Sequence, residues 1–158
     1  MFRELLRKKK QLTDAECIEI LKTTKRGVLS VKGDGGYPYG MPMNHFYNDT
    51  DGKLYFHCGK VGHRLDALRA DGKVSFCTYT EGYKNPDEWA LNIKSVIVFG
   101  EITVVEDLQK IEEITTKLSL KFTEDEEYIR EEIRLYAKNT LLLELTPHHI
   151  CGKRIQES

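Results

Sequence analysis

The 158-residue chain carries 24 Lys+Arg against 25 Asp+Glu, a formal charge of −1. That balance excludes a surface given over to nucleic acid, and no run approaches the roughly 18 apolar residues of a membrane helix. The length suits one domain over residues 1–158, with enough chain to bury a core without disulfide staples. The opening MFRELLRKKK leads to no apolar run and no small-residue cleavage site, so residues 1–12 read as a solvated basic arm and not a secretory signal. Cys17, Cys58, Cys77 and Cys151 have no CxxC spacing and read as reduced thiols of a cytoplasmic protein.

Thr13 with Glu16 forms a capping box, and Cys17, Ile18 and Leu21 follow at helical spacing, which predicts a helix over about 14–24. The period then changes to two. Gly27–Val31 reads as a strand, Asp34-Gly35-Gly36 as a hairpin turn, 37–47 as the returning strand and Lys53–Cys58 as the next, a three-stranded meander. His63–Ala70 reads as a short helix stopped near Gly72, and 74–79 as a fourth strand. A loop with Gly82, Pro86 and the only Trp, Trp89, leads to a long strand over 93–105. Val96, Val98, Ile102 and Val104 share one face of it, and Gly100 marks a bend. Ile111, Ile114, Leu118 and Phe122 predict a helix opened by Asp107. A second capping box at Thr123–Glu126 predicts another, with Ile129, Ile133 and Tyr136 as its stripe. Leu141, Leu143 and Leu145 predict a sixth strand that Pro147 ends. The fold class is α+β: an antiparallel six-stranded split barrel with flanking helices.

The chemistry concentrates in Phe56–Arg64. A strand ends in a glycine turn, a helix starts at once, and Lys60, His63 and Arg64 cluster there. A helix N-terminus offers unpaired N–H groups and partial positive charge. Cations at that end oppose the dipole, a cost that a bound dianion such as a phosphate monoester would offset; an ordinary exposed basic turn is the alternative. There is no Gly-x-Gly-x-x-Gly and no Gly-Lys-Ser/Thr loop, which excludes the common dinucleotide and P-loop sites.

The runs Tyr39–Tyr47, Asp51–Cys58 and Gly62–Asp66, with Ser95–Gly100 and Gly152-Lys153, resemble the pyridoxamine 5′-phosphate oxidase-like flavin-binding split barrels, and more closely the nitroimidazole-resistance (Nim) proteins among them. The resemblance spans residues 3 to 154. It implies FMN rather than FAD, held in a groove between two subunits of a homodimer. By position, it assigns His63 and Arg64, with Lys60 beside them, to the phosphate. Met43 and Asn44 fall along the ring, His57 and Cys58 at the end of the next strand, and Ser95 near the pyrimidine edge. Arg64 stands where Lys is common in the Nim pattern. The C-terminal Arg/Trp motif of the true pyridoxamine phosphate oxidases is missing, which counts against vitamin B6 oxidation.

A zinc site fails on alternation, because His57 and Cys58 point to opposite faces and His149 with Cys151 lack two further ligands. Cys77 reads as core, Cys58 as pocket-lining, and Trp89 as either a lid over a partner's pocket or a loop anchor. No side chain is assigned as catalytic, since the flavin carries the electrons. The resemblance implies a flavoprotein reductase that passes electrons to a small acceptor such as a 5-nitroimidazole, reduced by a nicotinamide or a redox partner. An oxidase of the pyridoxamine phosphate type and a flavin-binding module without turnover are the alternatives. A homodimer would cover an apolar face with Val96, Val98 and Leu143 as contributors.

Overall fold

The computed structural model describes residues 1–157. Helix α1 (Asp14–Thr23) starts on the expected capping box, with the Glu16 amide donating to Thr13 and the Glu16 carboxylate accepting from the Thr13 amide. Its buried residues Cys17, Ile20 and Leu21 face the sheet. The chain before it is docked as well as charged. Leu12 is buried and its amide bonds to the Gly152 carbonyl, while Phe2 stacks on His149 at 4.9 Å. The basic run Arg7–Lys9 faces solvent.

The strands are β1 (Arg26–Lys32), β2 (Pro38–Asn44), β3 (Phe46–Asn48), β4 (Lys53–Gly59), β5 (Lys73–Tyr79), β6 (Leu91–Val105) and β7 (Thr140–Glu157). They form one antiparallel sheet in the order β2-β1-β5-β6-β7-β4-β3. The fold class is as expected, but the returning strand over 37–47 is two strands. It breaks at His45, so β2 pairs only with β1 and β3 pairs with β4, and the simple meander does not form. The cause is His45 itself. Its ring is fully buried, with Nε2 at 2.8 Å from the Leu21 carbonyl, and its amide leaves the ladder for the Lys25 carbonyl. The two edge strands of the sheet are therefore successive pieces of one run, and the sheet curls back on itself as a split barrel.

Strand β7 also differs from expectation, because it passes through Pro147 and runs on to Glu157. The β6·β7 register shifts between Phe99 and Gly100: Phe99 faces His149, Gly100 faces Pro147, and His148 is left over. At such a bulge a proline removes no ladder bond. A Cβ on Gly100 would collide with the Thr146 carbonyl, so the bend expected there requires glycine.

The barrel interior is one cluster containing Leu29, Phe56, Phe76, Val96, Val98 and Leu143. Val96, Val98 and Leu143 are 0% exposed within the single chain, so they belong to the core and not to an outer patch, correcting the sequence expectation. Cys77 is corrected too. Phe76 and Thr78 point inward, and Cys77 lies half-buried on the outer face.

Helix α2 (His63–Ala70) follows β4 and packs Leu65, Ala67 and Leu68 on the barrel. Helix α3 (Leu108–Ser119) is capped by Asp107, whose carboxylate accepts from the Lys110 amide at 2.7 Å. Helix α4 (Glu126–Tyr136) is capped by Asp125 and not by the expected Thr123, whose hydroxyl instead accepts from the Asp125 amide. Phe122 lies beyond the end of α3. Ile111 and Ile114 of α3 join Tyr55 and Leu142 in a second cluster on the outside of β4 and β7. Beside it the buried Glu144 carboxylate is bonded by Lys53 Nζ at 2.7 Å, by the Tyr55 hydroxyl at 3.0 Å and by Lys110 Nζ. No described helix is long and apolar enough to cross a membrane.

Candidate functional site: an anion cavity at the start of α2

Strand β4 ends at Gly59, and three residues later Gly62 caps α2 with φ of 128°, a conformation that side chains resist. Gly62 brings no capping side chain, and its carbonyl accepts from the Leu65 and Asp66 amides. The His63 and Arg64 amides at the first positions are left without an intrahelical partner. A Cβ at Gly59 or Gly62 would meet nothing within 4 Å, so both glycines border open space. A cavity of ≈290 Å³ lies there, lined by Tyr39, Cys58, Gly59, Gly62, His63 and Arg64.

Its side chains are held from β2. The His63 ring stacks on Tyr39 at 4.5 Å with 12° between planes, and its Nε2 is 3.6 Å from the Asp34 carboxylate. Arg64 Nε donates to Met41 Sδ at 2.8 Å, which leaves the end of the guanidinium for a ligand. Burial raises the Cys58 thiol pKa, against the pull of Arg64 and Arg69, so Cys58 lines the cavity as a neutral thiol.

The remaining sequence candidates are spread out. Lys60 lines a neighbouring cavity of ≈390 Å³ with Arg69, Glu106 and Lys138. His57 alternates away from Cys58 and lines a third cavity against α3 and α4. Its imidazole pKa is lowered by burial and by the Arg64 charge. Met43 points into the barrel core, whereas Asn44 is exposed and accepts from Arg26 Nε at 3.3 Å. Ser95 is buried in β6 opposite Tyr79 and Lys153, while Gly59 pairs with Thr140 near the other end of β7. Trp89 is 72% exposed and does not anchor its loop. Sequence reasoning missed Tyr39 and Met41. Both lie at alternate positions of the strand that carries Met43, and that period-two spacing was the signal available for them. Among the described residues no group of three His, Cys, Asp or Glu side chains is placed to hold a metal.

The curled antiparallel sheet with an anion-ready helix start after β4 defines a split-barrel protein of the pyridoxamine phosphate oxidase type. The sequence profile of the pyridoxamine 5′-phosphate oxidase family matches residues 13–154, and the chain belongs to that family. No protein of curated function matches the sequence. Among solved structures, the chain is similar to a candidate 5-nitroimidazole antibiotic resistance protein from Bacteroides thetaiotaomicron, at 19% identity over 93% of this chain and 87% of that one, with a TM-score of 0.76. A conserved hypothetical protein from Mycobacterium tuberculosis is 15% identical over 95% and 90%, with a TM-score of 0.79. An FAD-binding protein from Mesorhizobium loti is 22% identical over 94% and 98%, with a TM-score of 0.65.

Proposed function

We propose that the chain is a flavin-dependent oxidoreductase that holds FMN by its phosphate at the start of α2 and reduces a small acceptor such as a nitroaromatic. The observation that carries this reading is the glycine-lined cavity where two partnerless amides, the Arg64 guanidinium and the His63 ring converge. A phosphate dianion fits that donor set: it is recognised by backbone N–H groups at a helix start and by a planar Arg fork. Bound there, the flavin would supply the electron transfer, and the chain would supply placement and exclusion of water. Met41 and Tyr39 hold the phosphate donors in place, and Asn44 offers an exposed amide further along the same strand. The names of two relatives, an FAD-binding protein and a candidate nitroimidazole resistance protein, support flavin and a nitroaromatic acceptor.

Ser95 lies on β6, across β1 and β5 from the strand that holds Arg64, and a ring site that includes it would be completed by a second copy of the chain. The outer face offers a surface for it. Pro42, Val28, Cys77, Ile97 and Cys151 lie in register, one on each of five adjacent strands, all exposed or half-buried. In such a homodimer the exposed Trp89 would wall the partner's ring. A nicotinamide or a redox protein is the reductant of this reading.

The test is the absorption spectrum of freshly purified protein, with mass spectrometry of what denaturation releases. A yellow protein that releases FMN, is bleached by reduced nicotinamide and is reoxidised by a nitroimidazole supports the reading. Release of FAD would revise the cofactor. Bleaching by pyridoxamine phosphate, with reoxidation by oxygen, selects the oxidase instead, and a bound flavin that never turns over selects the binding module.

A further inference from the structure

The third cavity, ≈420 Å³, lies between α3, α4 and the outer side of β4. Phe122, Tyr128 and Tyr136 line it, and all three are exposed although each is a large aromatic. Packing does not require them to converge there, since Ile129 is the buried contact of α4. Of its lining hydroxyls, Thr123 accepts from the Asp125 amide and Thr140 donates to the Tyr136 carbonyl. Thr115 Oγ1 is buried without a hydrogen bond, which native structures rarely leave so. Glu132 makes no ion pair, whereas the neighbouring Glu131 is taken by Arg134. His57 offers an exposed imidazole whose pKa is lowered by desolvation and by the Arg64 charge. None of the lining side chains is Lys or Arg, in contrast to the anion cavity. Lys25 covers one face of Phe122 from outside at 5.6 Å, leaving the other for the cavity.

Small-molecule sites are mostly apolar, of about 300–1,000 Å³, with a few convergent polar groups. This one presents aromatic walls, a carboxylate and an imidazole, so it can accept hydrogen bonds and repels an anion. We propose that it binds a planar heteroaromatic molecule that donates N–H hydrogen bonds, of the amino-azole or amidine class, between Tyr128, Tyr136 and Ile133. The site stands apart from the phosphate turn and does not rest on the flavin reading: alternation along β4 sends His57 to this cavity and Cys58 to the other.

Calorimetric titration of the full chain with 2-aminobenzimidazole, and with 1-naphthoate as an anion of similar size, tests it. Saturable binding of the first and none of the second is expected. Glu132→Gln should weaken it about tenfold, the loss of one charge-assisted hydrogen bond. Tyr136→Ala should weaken it as well, with thermal melting checking that both variants fold. The His63→Ala variant, which keeps Arg64 beside His57, should bind the probe like wild type even where its hold on flavin is weakened. No saturation at millimolar probe, equal binding of 1-naphthoate, indifference to Glu132→Gln, or loss in His63→Ala would each overturn the proposal.

Discussion

Arg64 and His63 are the residues on which the phosphate reading turns. Replacing either with Ala removes a donor to the dianion. Each change should cost roughly 1.5–3 kcal/mol of binding, about a tenfold to hundredfold rise in the FMN dissociation constant. Flavin fluorescence titration measures it, with wild-type affinity in both variants as the contrary result. His45 makes a different prediction. Burial pushes its imidazole from 6.5 down to about 3, and the Lys121 charge adds to this against the bond to Leu21. Folding therefore selects the neutral ring, while the unfolded chain takes up a proton below pH 6.5. Stability should fall as pH drops from 6.5 towards 3. His45→Gln should be less stable at neutral pH and lose less on acidification in thermal melts. Parallel curves for the two proteins would exclude His45 as the cause.

Among the elements, α3 is tied to the barrel through Glu144. Burial opposes ionisation of this carboxylate, but Lys110, Lys53 and Tyr55 outweigh it and hold its pKa at about 2. Its contribution is complete above pH 4.5 and is lost as pH falls towards 2. Glu144→Ala removes the shared partner of two half-buried ammonium groups and of the buried Tyr55 hydroxyl, and should cost about 1.5–3 kcal/mol in denaturant unfolding. Removing the exposed Glu4 partner of Lys8 should cost about 0–1 kcal/mol. Equal effects would deny Glu144 its role. Most elements were legible because their signals are local: the Thr13 box, the alternation in β1, β4 and β6, and the apolar spacing of α3. The break at His45 was not, because it depends on the Leu21 carbonyl, contributed by another element. Pro147 read as a stop because its bulge exists only in the pairing with β6. The cap of α4 moved two residues because Thr123 and Asp125 compete for one helix start and the aspartate is nearer to it.

For the whole molecule, the site was legible only as far as it is local. The turn from Gly59 to Arg64 could be read from its residue types. The separation of His57, Lys60 and Ser95 from it could not, since side-chain alternation and strand register decide those positions. The outer row from Pro42 to Cys151 predicts a dimer whose stability rises with protein concentration and with FMN. Sedimentation should give twice the 18.3 kDa chain mass, and a yellow species at the single-chain mass would contradict the shared groove. The central claim, that the start of α2 binds a phosphate, is tested most directly by titrating one apoprotein preparation with FMN and with riboflavin. The account predicts FMN binding that is tighter by at least about tenfold, with the difference abolished in the His63→Ala/Arg64→Ala variant. Equal affinities for the two flavins would contradict it.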